Sequence, residues 1–137
     1  MHLDSAGVSN YGMVGVANIS MPLSISVGGD VNGWSYYQQT GKKYYNNAAT
    51  AYGSAWATNT IIGCAVDLDT GNIWWSYNGA WIASGDPATG ANPAFTGLTG
   101  TLYPATSIYA SNGDTVTARF SAVDQTYAAP SGFTAWG

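Results

Sequence analysis

Residues 61–79 read IIGCAVDLDTGNIWWSYNG. Two apolar runs flank a tight Asp/Gly/Asn turn, and a second turn signal, Asn78-Gly79, closes the stretch; an Asn-Gly pair beside apolar segments is the strongest short-range hairpin signal. Strand side chains alternate with a period of two, so Ile62, Cys64, Val66 and Leu68 share one face of the first arm and Ile61, Gly63, Ala65 and Asp67 the other. In the second arm Ile73, Trp75 and Tyr77 lie on one side, with Asn72, Trp74, Ser76 and Asn78 opposite. Both arms are apolar on nearly both faces, which places the hairpin in the middle of a sandwich.

The rest of the chain suits that hairpin. Its 137 residues are the size of one domain with one core. All seven acidic residues are Asp, and Lys and Arg total three, so good helix formers for solvent faces are nearly absent. Against them stand 18 Gly, 10 Tyr and 6 Trp, the mixture of short strands and many turns.

Only 7% of residues are charged and the net charge is -4. Nucleic acid and anionic membranes are recognised through clustered Lys and Arg, and Lys42-Lys43 is the one basic pair, so neither is an expected partner. A surface kept wet by Asn, Thr, Ser, Gly and Tyr hydroxyls is unusual for a cytosolic protein and is expected of extracellular fibres, lectins and virus particles.

Cys64 stands alone on an apolar strand face, which excludes an intramolecular disulfide and reads as a small buried hydrophobe. No apolar run approaches the roughly 20 residues of a membrane span, and the first ten residues lack the charged and apolar regions of a signal peptide.

Outward from the hairpin, residues 1–10 form a polar lead-in and residues 11–137 a single domain. YGMVGVA at 11–17 reads as a strand, residues 18–32 as a long loop punctuated by Pro22, Gly28 and Gly29, GWSYY at 33–37 as a short aromatic strand, and Lys43 to Tyr45 as the start of another. Residues 48–59 form a connection. After Gly79, Trp81 and Ile82 lead into a Gly- and Pro-rich loop over 83–100. LYPATSIY at 102–109 is a strand whose proline asks for an edge position or a bulge. Val116, Ala118 and Phe120 then alternate with Thr117 and Arg119 as a last strand, and a tail with Tyr127, Phe133 and Trp136 is aromatic enough to pack back on the body. Short strands at turn-rich spacing without a helical period give an all-β antiparallel sandwich or barrel.

The order of these motifs resembles the SPRY (B30.2-like) domain. The series runs GWSYY at Gly33, AYGSAW with Tyr52-Gly53, IIGCAVDLD with Ile62, Gly63 and Asp67, GNIWWSYNG with Gly71, Ile73, Asn78 and Gly79, LYPATS with Tyr103-Pro104, and VTARF ending at Phe120. It covers about residues 12–136. The resemblance implies a bent antiparallel β-sandwich of the concanavalin-like jelly-roll type, binding through variable loops at one end, and no catalysis. It departs from the family at its start, where only ten residues precede the strand at 11–17. An open sheet edge beside that strand would be completed by further chain or by a neighbouring copy in a homo-oligomer.

The search for chemistry is mostly negative. His2, the one histidine, lies in the lead-in, so neither a His-based triad nor a Cys/His zinc site has its ligands. Asp67-x-Asp69-x-Gly71-Asn72 faintly suggests a calcium loop without its later bidentate acid, and turn-forming Asp and Asn explain it as well. Nothing marks Asp67 and Asp69 as an acid pair for glycoside hydrolysis. No motif asks for a cofactor or a metal, and the chain is read as no enzyme.

Aromatic residues remain. They are too many for one core of this size, so some should be exposed, and Trp34, Tyr36, Tyr37, Trp74, Trp81 and Tyr109 are the candidate ligand-binding residues. Trp74 is expected to point outward, opposite the core-facing Ile73 and Trp75, so that its truncation would spare the fold. An exposed aromatic ring flanked by Asn, Asp and Gly suits a sugar ring or a protein loop, and loops 18–32 and 83–100 are its natural rim. The expected function is a non-enzymatic binding module of a virion or surface appendage, with a phage tail-fibre or receptor-binding domain for a host surface glycan or protein foremost. The alternatives are a virion decoration or assembly protein packed against neighbouring virion subunits, and an intracellular protein-interaction adaptor. The expected location is the virion or the extracellular space.

Overall fold

The computed structural model describes residues 11–108 and 114–136. The strands are β1 (Met13–Asn18), β2 (Gly33–Tyr37), β3 (Lys42–Tyr45), β4 (Ala48–Ala51), β5 (Ile62–Asp67), β6 (Asn72–Tyr77), β7 (Ala80–Trp81) and β8 (Leu102–Ser107). They form two antiparallel sheets, one of five strands in the order β4-β3-β2-β1-β8 and one of three in the order β5-β6-β7. The fold is all-β and sandwich-like, as the sequence leads one to expect.

The central hairpin is β5–β6, in the register Cys64↔Trp75 and Val66↔Ile73. Its turn is closed by the Asp67 carboxylate, which accepts hydrogen bonds from the Asp69 and Thr70 amides at 2.9 and 3.3 Å and from the Thr70 hydroxyl at 2.7 Å. These bonds hold the Asp67 carboxyl below its ordinary range, the Thr70 hydroxyl contributing most. The calcium-like look of this segment is therefore the look of an Asx turn.

Inward-facing residues of the two sheets meet in one core. Val14, Val16, Trp34 and Tyr36 come from the larger sheet, and Ile62, Ile73 and Trp75 from the smaller one. β1 lies so close to β2 that a Cβ on Gly15 would come 1.8 Å from the Trp34 carbonyl oxygen, so only glycine fits there. Pro104 sits in β8, an edge strand of the larger sheet, where its missing N–H leaves no gap in a ladder.

Three expectations change. β1 is flanked by β2 on one side and β8 on the other, so no open edge lies beside it for a second copy to complete. The segment 48–59, expected as a connection, begins with β4, paired to β3 through a tight turn at Asn46 and Asn47, both with positive φ. The expected last strand over Val116 to Phe120 is irregular: Val116 packs against the core, but Ala118 and Phe120 lie exposed, too little burial to hold a strand on a sheet. The lead-in, with His2, and Tyr109 lie outside the described residues.

Candidate functional site

The candidate aromatic residues do not gather in one place. Tyr36 is fully buried in the core, its hydroxyl donating to the Ser54 carbonyl at 2.5 Å. Burial, with Tyr52 and Tyr77 nearby, pushes its phenol well above the ordinary range. Tyr37 lies half-buried on the opposite face of β2, edge-on to Tyr44 with 5.5 Å between ring centroids. Trp81 is half-buried on β7. Tyr36 is thus a packing residue, and Trp34 is mostly one.

Trp74 is the clearest correction. It does lie opposite Trp75, but it is 1% exposed, no more open than its neighbour at 0%. Its indole N–H donates to the Ala91 carbonyl at 2.8 Å, and Phe133 stands edge-on to its ring. The loop around Ala91 and the C-terminal tail form a further layer over this face of the hairpin. That layer buries Trp74, while the aromatic surplus noted in the sequence is exposed elsewhere, at Tyr11, Tyr103, Tyr127 and Trp136.

What the sandwich does present is a slot of about 300 Å³ between β2, β3 and residues 93–97. Trp34 and Tyr45, cross-strand partners, stack there with centroids 5.3 Å apart and planes 9° from parallel. Phe95 tilts against Tyr45 at 6.0 Å. The wall carrying Phe95 is held to the hairpin by two backbone hydrogen bonds, Ile73 N–H to the Phe95 carbonyl at 3.1 Å and Ala94 N–H to the Ile73 carbonyl at 2.7 Å.

Lys43 fastens the same wall from the other sheet. Its ammonium donates to the Ala94 carbonyl and lies 4.7 Å from the Phe95 ring centroid and 5.6 Å from that of Tyr52. An ammonium held against ring faces is stabilised by their quadrupoles, yet burial lowers its pKa from the ordinary lysine value. Lys43 is thus a structural cation rather than a surface one.

The rim is polar. The Asn46 amide donates to the Asp30 carbonyl at 3.0 Å and the Asn47 amide to the Gly28 carbonyl at 2.9 Å, which ties the β3–β4 turn to the long loop over 19–32. Of the loops expected as the rim, 83–100 supplies the slot wall at Phe95, whereas 18–32 reaches only the neighbouring β3–β4 turn, through Asp30. Of the six candidate residues only Trp34 lines the slot. Tyr45, Phe95 and Lys43 were missing from the sequence reading, though the aromatic pair Tyr44-Tyr45 beside the one basic pair was a signal for two of them.

The slot offers flat apolar walls, and its lining residues include no acid, base or thiol. Cys64, the one thiol, is pushed up to about 12 by burial, which leaves it protonated and unreactive at neutral pH. Such a site is suited to recognition.

The family model described as the SPRY domain matches residues 7–122. The Dual specificity protein kinase splA of Dictyostelium discoideum is 26% identical over 97 residues, which is 66% of this chain and 4% of the kinase. The chain thus spans a small fraction of that relative's length.

Proposed function

This chain belongs to the SPRY domain family, generally a non-catalytic protein-interaction module, and on that premise we propose that it binds a protruding loop of a partner protein in the slot between Trp34, Tyr45 and Phe95. The observation that carries this reading is the stacked Trp34–Tyr45 pair with Phe95 closing a concave, aromatic-walled slot. Aromatic walls supply area at low entropic cost, and the exposed side chains of Asn46 and Asn47, in the turn that follows Tyr45, can fix a partner's main chain. The catalytic activity named for the Dictyostelium relative is that of a far longer protein, and no part of this proposal uses it.

A second reading, a host surface glycan, is favoured by the aromatic-walled slot next to the exposed Asn46-Asn47 turn, because a sugar packs its apolar face on an aromatic ring and pairs its hydroxyls with amides. The setting we propose is a virion or a surface appendage, for which a chain with 7% charged residues and no Glu is suited. A structural role against neighbouring virion subunits is the competing use of the same slot.

Screening the chain against a displayed loop library and a bacterial glycan array tests the reading. Thr96 is exposed at the slot, so Thr96→Trp fills it from the rim without removing a core residue. Hits lost in Thr96→Trp at unchanged melting temperature support the slot. Hits that survive the filling, or an empty screen with the fold intact, overturn it.

A further inference from the structure

Among the described residues the smaller sheet ends in an open edge. β5 pairs with β6 only, and β6 continues to β7 on its other side. The direction of each main-chain group on β5 follows from the ladder. Asn78 N–H donates to the Ile61 carbonyl, while Ile73 exchanges its N–H and carbonyl with Phe95 and Ala94 and Trp75 N–H points to the Tyr52 hydroxyl, all on the side of β6 away from β5. In an antiparallel pair bonded and non-bonded positions alternate, so Gly63 and Ala65 bond across to β6 while Cys64 and Val66 turn their N–H and C=O groups outward.

Those groups open onto a groove of about 940 Å³ that runs along β5 and faces the tail over residues 125–136. The side chains of Cys64 and Val66 pack against the core, so what these residues give the groove is their main chain. Between them Gly63 and Ala65 form a floor of minimal side chains, which leaves room beside the edge. This strand carries neither a Pro nor a Lys, and its one charged residue, Asp67, stands at its end. At its far end stand Asp67 and Asp69, and no Lys or Arg lines the groove. The Asp67 carboxylate keeps its charge but accepts hydrogen bonds from its own turn, so Asp69 is the carboxylate placed opposite a newcomer's cation.

We propose that the edge of β5 is a docking site for an extended peptide segment of a partner protein, added as a further antiparallel strand, with small apolar side chains over Gly63 and Ala65 and a Lys or Arg opposite Asp69. Main-chain pairing supplies the affinity and alternate side chains the selectivity, as in other strand-addition complexes. Charge complementarity decides the class of occupant: a groove with two carboxylates and no cation discriminates against an acidic strand. The site shares no residue with the Trp34–Tyr45 slot and stands or falls separately from it.

The probe is a blocked hexapeptide of alternating Val and Thr with Arg at its N-terminal end, compared with the same peptide carrying Glu there and with one methylated on alternate amide nitrogens. Titration is followed by hydrogen exchange at the Cys64 and Val66 amides. The expected result is that both amides exchange fast in the free chain and slow down when the Arg peptide binds. The Glu peptide is weaker, the methylated peptide does not bind, and Asp69→Asn lowers affinity for the Arg peptide about two- to fivefold, the worth of one exposed charge pair. Amides already protected in the free chain at all concentrations would mean that its own segment around Val116 closes the edge. Protection that appears with protein concentration alone would mean that a second copy does. Either result, or equal binding by the methylated peptide, overturns the proposal.

Discussion

Trp74 and Phe133 meet edge to face, their ring centroids 6.2 Å apart and their planes at 89°. A residue of the central hairpin is thereby sealed by one near the end of the chain, and the face of β6 opposite the core becomes an interior of its own. Trp74 and Trp75, adjacent in sequence, are each enclosed on their own side of the sheet.

Both tryptophans should therefore be expensive to truncate. Trp74→Ala and Trp75→Ala are each expected to destabilise the chain by about 3–5 kcal/mol, the range for a large buried aromatic. Replacement by Phe separates them. Trp74→Phe deletes the hydrogen bond to the Ala91 carbonyl and adds a polar loss of about 1 kcal/mol, whereas the Trp75 indole N–H has no partner among the described residues, so Trp75→Phe deletes no such bond. Urea unfolding of the four variants reads both differences, and a Trp74→Ala chain as stable as the parent would contradict the layer over β6.

The core should fail in alkali. Burial pushes Tyr52 from its ordinary 10.0 up to about 12, and Cys64 from 9.0 up to about 12. A raised acid is neutral in the folded chain at a pH where it ionises in the unfolded one. The unfolded chain therefore binds fewer protons above pH 9, and stability falls as pH rises. Full stability is expected below about pH 9, with a decline from there through pH 12 in thermal melts. Tyr52→Phe should flatten that decline, while lowering stability near neutral pH because the Trp75 amide loses its 3.2 Å bond to the Tyr52 hydroxyl.

Lys43 should matter more for the slot than for the fold. Lys43→Met keeps the apolar stem but deletes the donor to Ala94 and the cation beside Phe95. The expected loss of stability is about 1–2 kcal/mol, from one charged hydrogen bond and one partly buried cation–π contact. Binding at the slot should weaken further, because the wall over 93–97 loses its tie to β3. Affinity for a slot ligand that matches the parent's would remove Lys43 from the site.

Most of the framework is legible in short-range patterns. Alternation assigns Ile62, Cys64 and Val66 to the core face and correctly sets Trp74 opposite Trp75, and Pro104 marks an edge strand before any partner is known. Alternation describes one strand at a time, though, and says which face a side chain takes rather than what lies on that face. The cover over Trp74 comes from residues some 60 positions later in an irregular tail, and the slot wall at Phe95 comes from a loop that the sequence presents only as Gly and Pro punctuation. Tyr36 and Trp34 look like platform residues for the same reason: their aromatic character is local, while their burial is decided by β6 on the opposing sheet.

Gly79 joins the local signal to the distant cover. Asn78 and Gly79 both have positive φ, 47° and 83°, which builds the tight turn between β6 and β7 that the Asn-Gly pair announces. A Cβ on Gly79 would also stand 2.7 Å from Cδ1 of Tyr127, on the tail that covers the hairpin. Gly79→Ala therefore strains the turn and lifts the tail together. The backbone term alone is expected to cost about 1–2 kcal/mol. If the second effect is real, tryptophan fluorescence should shift to the red in the folded variant as Trp74 meets water, and proteolysis should cut the tail first. A destabilised variant with unchanged native fluorescence and an intact tail would limit Gly79 to its role in the turn.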